Sequence, residues 1–316
     1  MKIDDAVLLG QMAQLFLMIL CGYLLFRAKY LTVEVNRKLT RLLLDVTLPL
    51  MILSSVLKQE GDKDFASAFE VFGISIALYL ILPVISYVLV KLMRFPKKQQ
   101  GIYMFMNTYS NVGFMGFPVL NALYAEKAVF YAAILNIIFN LSLYTMGVMM
   151  IHYEGSGGEK SESGRVDLKL LLSPGLIGSA AAILFYFLPV SFPEPVVGAV
   201  DSIGGLTSPL AMILIGASLA NMPLKEIFND WRVYVFALVK QLVIPLLCWP
   251  VLKMAIGDTF IRSVIFILIL MPVANSVVLF ANNYEKDEAL AAKNVFISTV
   301  FSVGTIPLAV YLISYL

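Results

Sequence analysis

The sequence predicts an all-α polytopic membrane protein with ten transmembrane helices, arranged as two inverted five-helix repeats. Three observations support this fold class. Of the 316 residues, 60% are hydrophobic and only 14% are charged, whereas soluble domains carry about 25% charged residues. The chain contains ten apolar stretches, each long enough for a membrane span of about 20 residues. A single polar linker divides these stretches into five and five.

The predicted spans are separated by connections that are mostly short. The spans lie near residues 6–26, 37–57, 67–93, 99–123, 128–151, 169–188, 195–220, 231–256, 260–283 and 290–314. Residues 154–165 are rich in Gly, Ser and charge, which is typical of a flexible connector. We therefore expect a first repeat over 1–153, a cytoplasmic linker over 154–168 and a second, inverted repeat over 169–316.

Short matches between the two halves support an internal repeat. Three pairs of segments share an offset of 160 to 162 residues: Thr47-Leu-Pro49-Leu50 with Thr207-Ser-Pro209-Leu210, Pro83 with Pro245, and Glu126-Lys-Ala128 with Asp287-Glu-Ala289. An odd number of spans in each repeat requires the second copy to insert in the opposite orientation.

The distribution of Lys and Arg predicts the orientation in the membrane. Of these 23 residues, sixteen lie in the odd-numbered connections and six on the opposite side. Cytoplasmic loops carry the excess of positive charge in membrane proteins. The odd-numbered connections are therefore expected in the cytoplasm and both termini outside, in a protein of the cell membrane.

Two of the apolar stretches carry helix-breaking residues at corresponding places. The first break lies in span four and ends at Pro118, and the second lies in span nine and contains Pro272. A backbone group freed inside hydrocarbon costs several kcal/mol unless protein or a cavity covers it. Paired interrupted helices in two repeats indicate the binding site of a transporter.

These segments resemble the auxin efflux carrier family, which includes plant auxin exporters and bacterial permeases for small dicarboxylates. The resemblance rests on Ser110-Asn-Val-Gly-Phe-Met-Gly-Phe-Pro118, Met271-Pro-Val-Ala-Asn275, Phe280-Ala-Asn-Asn-Tyr284 and Thr305-Ile-Pro307-Leu. It covers the whole chain and implies crossed, broken helices four and nine, a transport domain that moves against a scaffold, and a homodimer. The plant carriers have Pro where this chain has Ser110, which disfavours auxin as the substrate.

Polar residues at the breaks are the candidate substrate ligands. The amide of Asn111 can donate to a carboxylate without the desolvation cost of a full charge; alternatively, it satisfies carbonyl groups freed at the break. Asn275 and Ser276 are its counterparts in span nine, or they cap the half-helix that follows. Ser110 and Gly113 complete the candidate set. Half-helix N-termini also favour an anion through their free N–H groups and dipole.

Span five supplies a second group of candidates, Asn136, Asn140 and Ser142. The two asparagines lie one turn apart on one helix face. The resemblance places the family's span-five contact to substrate near Ser142. Hydrogen bonds between helices, which are common for Asn and Ser in membranes, are the alternative.

Three ionisable residues inside spans are candidates for charge recognition or coupling. Lys240 is the one Lys or Arg within a predicted span, and intramembrane charges normally face a partner or a watery cavity. It could attract an anion, carry a proton, or extend along the helix to water. Asp45 and Asp201 could be protonated during a transport cycle, or could pair with Lys240.

The predicted function is secondary transport of a small organic anion such as malate or malonate by alternating access. The alternatives are a sodium-coupled organic-anion symporter of related crossed-helix fold and a non-transporting membrane sensor. Amides rather than carboxylates at the breaks favour a proton or no coupling ion. The sequence contains no Walker A, HExxH, CxxC or Gly-x-Ser-x-Gly motif, so we expect no enzyme activity, cofactor or metal. A net charge of +2 gives no indication of nucleic-acid binding.

Overall fold

A computed structural model of the chain describes residues 5–58, 64–153, 174–188, 192–221 and 230–315. The predicted linker over 154–168 lies outside these residues. The described parts are helical, apart from turns, short connections and one isolated antiparallel bridge between Ser110 and Val273. Within the described residues, six helices are long and apolar enough to cross a membrane. The protein is therefore an all-helical polytopic membrane protein, and the arrangement as ten spans in two repeats stays a prediction.

We number the helices in chain order. They are α1 Asp5–Arg27, α2 Val33–Leu57, α3 Phe65–Leu92, α4 Gln100–Thr108, α5 Val112–Ile151, α6 Pro174–Phe187, α7 Glu194–Asn221, α8 Trp231–Ala255, α9 Thr259–Leu270, α10 Ser276–Asn283 and α11 Glu288–Tyr315. Helix α5 is interrupted at Ala125, where the backbone φ is 56°. That interruption falls between the predicted spans four and five.

Prolines explain three wide, π-helical turns inside these helices. The turns cover Leu43–Thr47, Val112–Gly116 and Val239–Val243, and each is followed two residues later by Pro49, Pro118 or Pro245, respectively. Because proline has no N–H, it cannot donate to the carbonyl four residues earlier, and the helix widens locally. Two of these turns contain Asp45 and Lys240.

Glycines allow α1, α2, α6 and α7 to pack with their backbones in contact. A side chain at Gly22 of α1 or Gly216 of α7 would collide with backbone atoms of the opposite helix. Gly178 of α6 and Gly204 of α7 lie in the same way against the backbone of α2. Small residues at such interfaces let membrane helices approach closely. We call these four helices the first helix group.

The remaining helices form a second helix group, which comprises α3 to α5 and α8 to α11. Aromatic side chains fill much of the space between its members. Tyr103 of α4 packs on Phe236 of α8, with ring centroids 5.0 Å apart, and Phe105 packs on Phe280 of α10 at the same separation. The two interrupted segments lie within this group, between α4 and α5 and between α9 and α10.

Candidate functional site

The two breaks are paired with each other through backbone hydrogen bonds. The N–H of Asn111 donates to the carbonyl of Pro272 at 2.8 Å, and the N–H of Ala274 donates to the carbonyl of Tyr109 at 3.2 Å. These bonds flank the bridge between Ser110 and Val273. Backbone groups freed from α4 and α9 thus satisfy each other, which removes the cost of exposing them in a membrane interior.

Asn111 has one satisfied and one unsatisfied side-chain group. Its Oδ1 accepts from the N–H of Phe114 at 3.2 Å and so caps α5. This bond fixes the orientation of the amide, because only the oxygen can accept from an N–H. The residue is 3% exposed, and its Nδ2 has no hydrogen-bond partner in the described part of the chain. The structure differs from the alternative in which the amide satisfies freed carbonyls: the oxygen caps a helix, and the nitrogen contacts no carbonyl within the described residues.

The second break presents a similar set of groups. Asn275 precedes α10, but its side chain makes no capping hydrogen bond there. The hydroxyl of Ser276 is buried and has no partner within the described residues. Val273 donates its N–H to Ser298 Oγ of α11 at 3.1 Å, which holds the break against the neighbouring helix.

A cavity of about 590 Å³ lies between the two helix groups. One wall comes from α2, α6 and α7, and the other from both breaks, the second half of α5, and α11. The candidate residues Ser110, Asn111, Gly113, Asn136, Asn140, Asn275, Ser276 and Asp45 all line it. The volume suits a small organic molecule. The proline residues of the breaks, Pro118 and Pro272, are not part of the lining.

The candidates on α5 take different positions. Asn136 donates to Ser179 Oγ of α6 at 3.2 Å, so it also links the two helix groups, and Asn140 donates to the carbonyl of Asn136 at 2.7 Å. Ser142 lies outside the cavity lining, with its Oγ 2.9 Å from the hydroxyl of Tyr109. In this conformation Ser142 supports the first break from behind.

Lys240 is fully buried and contacts the first break. Its side chain is 2% exposed, and its Nζ donates to the carbonyl of Asn107 and to Ser110 Oγ, each at 3.1 Å. The interpretation that this lysine extends to water is therefore wrong. The next residue, Gln241, donates to the carbonyl of Ser298 at 2.8 Å. The wide turn of α8 therefore contacts the first break directly and the second break through Ser298.

The two acidic candidates pair with other residues than Lys240. Asp45 is exposed and pairs with Arg41 one turn earlier, at 3.1 Å. Asp201 accepts from Ser54 at 2.8 Å and lies 3.2 Å from the ammonium of Lys58. A pairing of either carboxylate with Lys240 is therefore absent from the described residues, and Asp201 lies away from the cavity lining.

Sequence reasoning missed a second carboxylate that pairs with Lys58 in addition to Asp201. Glu126, next to the interruption of α5, lies 2.8 Å from Lys58 Nζ. The hydrogen bond to Glu126 raises the pKa of the Lys58 ammonium above its ordinary value. The available signal was that Lys58 and Glu126 both lie next to predicted span ends on the same side of the membrane. That signal does not specify a pair.

Sequence comparisons relate the chain to membrane transport proteins. A family model described as "Membrane transport protein" matches residues 7–310. A "Putative malonate transporter" of Rhizobium meliloti (strain 1021) is 25% identical over 215 residues, which cover 66% of each chain. An uncharacterized transporter of Methanocaldococcus jannaschii is 21% identical over 92% of this chain and 94% of its own. The "Lysosomal cholesterol signaling protein" of Mus musculus is 22% identical over 95% of this chain, which spans 37% of that longer protein.

Proposed function

The chain belongs to the membrane transport protein family, the auxin efflux carrier family of transporters, and on that premise we propose that it is a secondary carrier for a small carboxylate. The observation that carries this proposal is the unpaired Nδ2 of Asn111 at the wall of the cavity. A buried donor without a partner costs roughly 1–3 kcal/mol. A carboxylate oxygen bound in the cavity would remove that cost.

Other groups around the cavity favour an anion over a cation. The N-termini of α5 and α10 begin at the breaks, and Gly113 and Ser276 from their first turns line the cavity. Helix N-termini carry unsatisfied N–H groups and partial positive charge. The one carboxylate in the lining, Asp45, is already paired with Arg41. The malonate named for the relative from Rhizobium meliloti is a dicarboxylate of a size that this cavity accommodates.

The position of the cavity between two helix groups supports transport by alternating access. The lining residues Thr40 and Asp45 lie in the first half of α2, and Ser218 lies near the end of α7. The positive-inside rule places those helix ends in the cytoplasm. We therefore assign this structure to a cytoplasm-facing state, in which the second helix group moves against the first to expose the breaks on the other side.

An ion-pair network closes the opposite side in this state. Lys58, which follows α2 of the first group, pairs with Glu126 of the second group and with Asp201 of the first. Opening the cavity to the outside would separate Lys58 from Glu126. The network thus acts as a latch between the groups, and we call it the outer latch. The ten-span inverted repeat and a homodimer through the first helix group belong to the same proposal.

Transport by purified protein in proteoliposomes tests this function. Counter-flow of labelled malonate or malate should exceed that of protein-free liposomes, with pH and sodium gradients imposed separately to identify a coupling ion. The Asn111→Asp variant should abolish the counter-flow, because its second oxygen cannot donate. The proposal would be contradicted if none of the four carboxylates malonate, malate, acetate and lactate showed counter-flow.

A membrane sensor is the second candidate. The mouse signaling protein is similar to this chain over 95% of the chain and over 37% of its own length, so a similar segment occurs within a longer protein whose name refers to signaling. A sensor would bind a ligand at the breaks without net movement. Saturable binding to purified protein combined with no counter-flow would favour the sensor over the carrier.

A further inference from the structure

Lys240 is a buried lysine with uncharged neighbours. Its ammonium contacts the carbonyl of Asn107 and the hydroxyl of Ser110, and none of the ion pairs in the described parts of the chain includes it. An ammonium group removed from water without a counter-charge is strongly destabilising. A protonated Lys240 therefore requires negative potential from its surroundings, and an anion bound nearby would supply it.

The ends of two helices supply part of that potential. Asn107 belongs to the last turn of α4, and Ser110 Oγ donates to the carbonyl of Ile269 in the last turn of α9, at 3.3 Å. Helix C-termini carry partial negative charge. These partial charges compensate a full positive charge incompletely, so an anion close to Lys240 would be stabilised further.

Ser110 stands between Lys240 and the cavity. It lines the cavity on one side and accepts from Lys240 Nζ on the other. A hydroxyl can rotate its hydrogen toward whichever acceptor is best placed. Its present bond to Ile269 is long, and a carboxylate oxygen in the cavity would be a stronger acceptor. The cavity lining that the structure describes contains no Lys, Arg or His. A full positive charge can therefore attract a bound anion only from a residue behind the lining, as Lys240 is.

We propose that Lys240 is the residue that makes the cavity select anions, and that it acts on the ligand through the hydroxyl of Ser110 without touching it. This inference rests on the proposed function, since it assumes a carboxylate at the breaks. Lys240 is then a positioning residue that acts through its charge. Removing that charge should weaken the binding of a carboxylate strongly and leave the binding of an uncharged analogue unchanged.

Binding of malonate and of its uncharged diamide, malonamide, to purified protein tests the inference. Lys240→Gln keeps a donor near Asn107 but removes the charge. We expect the ratio of malonate to malonamide affinity to fall about 10- to 100-fold. Lys253→Gln, at an exposed position on the same helix, should leave the ratio unchanged. Thermal unfolding of each variant shows whether it is folded.

Ser110→Ala provides the second test, and decides the matter if Lys240→Gln does not fold. It should also lower the ratio, and adding Lys240→Gln to it should have little further effect, because residues that act in series are not additive. An unchanged ratio of malonate to malonamide affinity in either folded variant would overturn the inference, as would full additivity of the two substitutions. Malonate binding by the wild type would still leave the proposed function intact. Equal affinity of the wild type for malonate and malonamide would overturn both.

Discussion

The ammonium of Lys58 lies 2.8 Å from a carboxylate oxygen of Glu126, although 68 residues separate them in the chain. Lys58 follows α2, which belongs to the first helix group, and Glu126 follows the interruption of α5 in the second group. Asp201 joins the pair from α7. These three residues connect the helix groups on the side of the protein that lies away from the cavity.

Removing the charge of Glu126 should shift the protein toward its outward-facing state. The pair is partly exposed, with side-chain accessibilities of 36% and 39%, and such ion pairs contribute about 0.2–1 kcal/mol. We therefore expect Glu126→Gln to change the ratio of the two states by only about 1.5- to 5-fold. The rate at which a maleimide labels Thr40→Cys in the cavity lining should fall accordingly, after Cys21 and Cys248 are replaced by Ser.

Glu34→Gln is the matched control for this measurement. Glu34 pairs with Lys38 at 2.8 Å, but both residues lie on α2 and the pair does not connect the helix groups. It should leave the labelling rate of Thr40→Cys unchanged. Equal effects of the two substitutions would show that the outer latch does not bias the conformational equilibrium.

Replacing Asn111 should weaken carboxylate binding in a way that depends on the replacement. Leu removes both the cap of α5 and the free donor, and the lost donor alone should reduce affinity about 5- to 150-fold, or roughly 1–3 kcal/mol. Asp preserves the cap but replaces the donor by a negative charge. The Asn111→Asp variant should therefore bind the carboxylate more weakly than Asn111→Leu, while being the more stable of the two. Isothermal titration with malonate and thermal unfolding separate the two effects.

Asn282 is the control for Asn111. It is exposed near the end of α10 and donates to Glu288 at 2.7 Å, away from the cavity lining. The same replacements there should change affinity much less. If both positions respond equally, or neither responds, the ligand does not bind at the paired breaks.

The close packing of α1 on α7 predicts a loss of stability for Gly216→Ala. The added methyl group would collide with the backbone carbonyl of Ile19, which cannot rotate away as a side chain would. Overpacking of this kind typically costs about 1–3 kcal/mol. Gly198→Ala on the same helix meets no atom within 4 Å, and it should retain the unfolding temperature of the wild type. An unfolding temperature of Gly216→Ala equal to that of Gly198→Ala would contradict the observed packing.

The orientation in the membrane can be tested at the linker. Cysteines introduced within 154–165 should react with a membrane-impermeant reagent only from the cytoplasmic side, because the excess of Lys and Arg predicts a cytoplasmic position for that connection. The measurement uses intact and permeabilised cells. Labelling in intact cells would reverse the orientation and the assignment of the cavity to a cytoplasm-facing state.

Much of the candidate site follows from local sequence. Asn111 and Asn275 were identified because Pro, Gly and Asn interrupt apolar stretches, and such interruptions are unfavourable unless they line a cavity. Most of the candidate ligands line one cavity for this reason. Ser142 could not be placed in the same way, since its predicted span contains no proline and its contact with Tyr109 depends on how two helices pack.

The sequence by itself determined that the chain is a helical membrane protein with two interrupted segments, because hydropathy and the backbone chemistry of proline are local properties. Only the tertiary structure decided which polar groups are paired. Lys240 contacts Ser110 across 130 residues, and Lys58 contacts Asp201 across 143. The partner of a charge depends on which distant helices pack together, and no local pattern encodes that choice. The unpaired nitrogen of Asn111 is likewise defined by its three-dimensional surroundings.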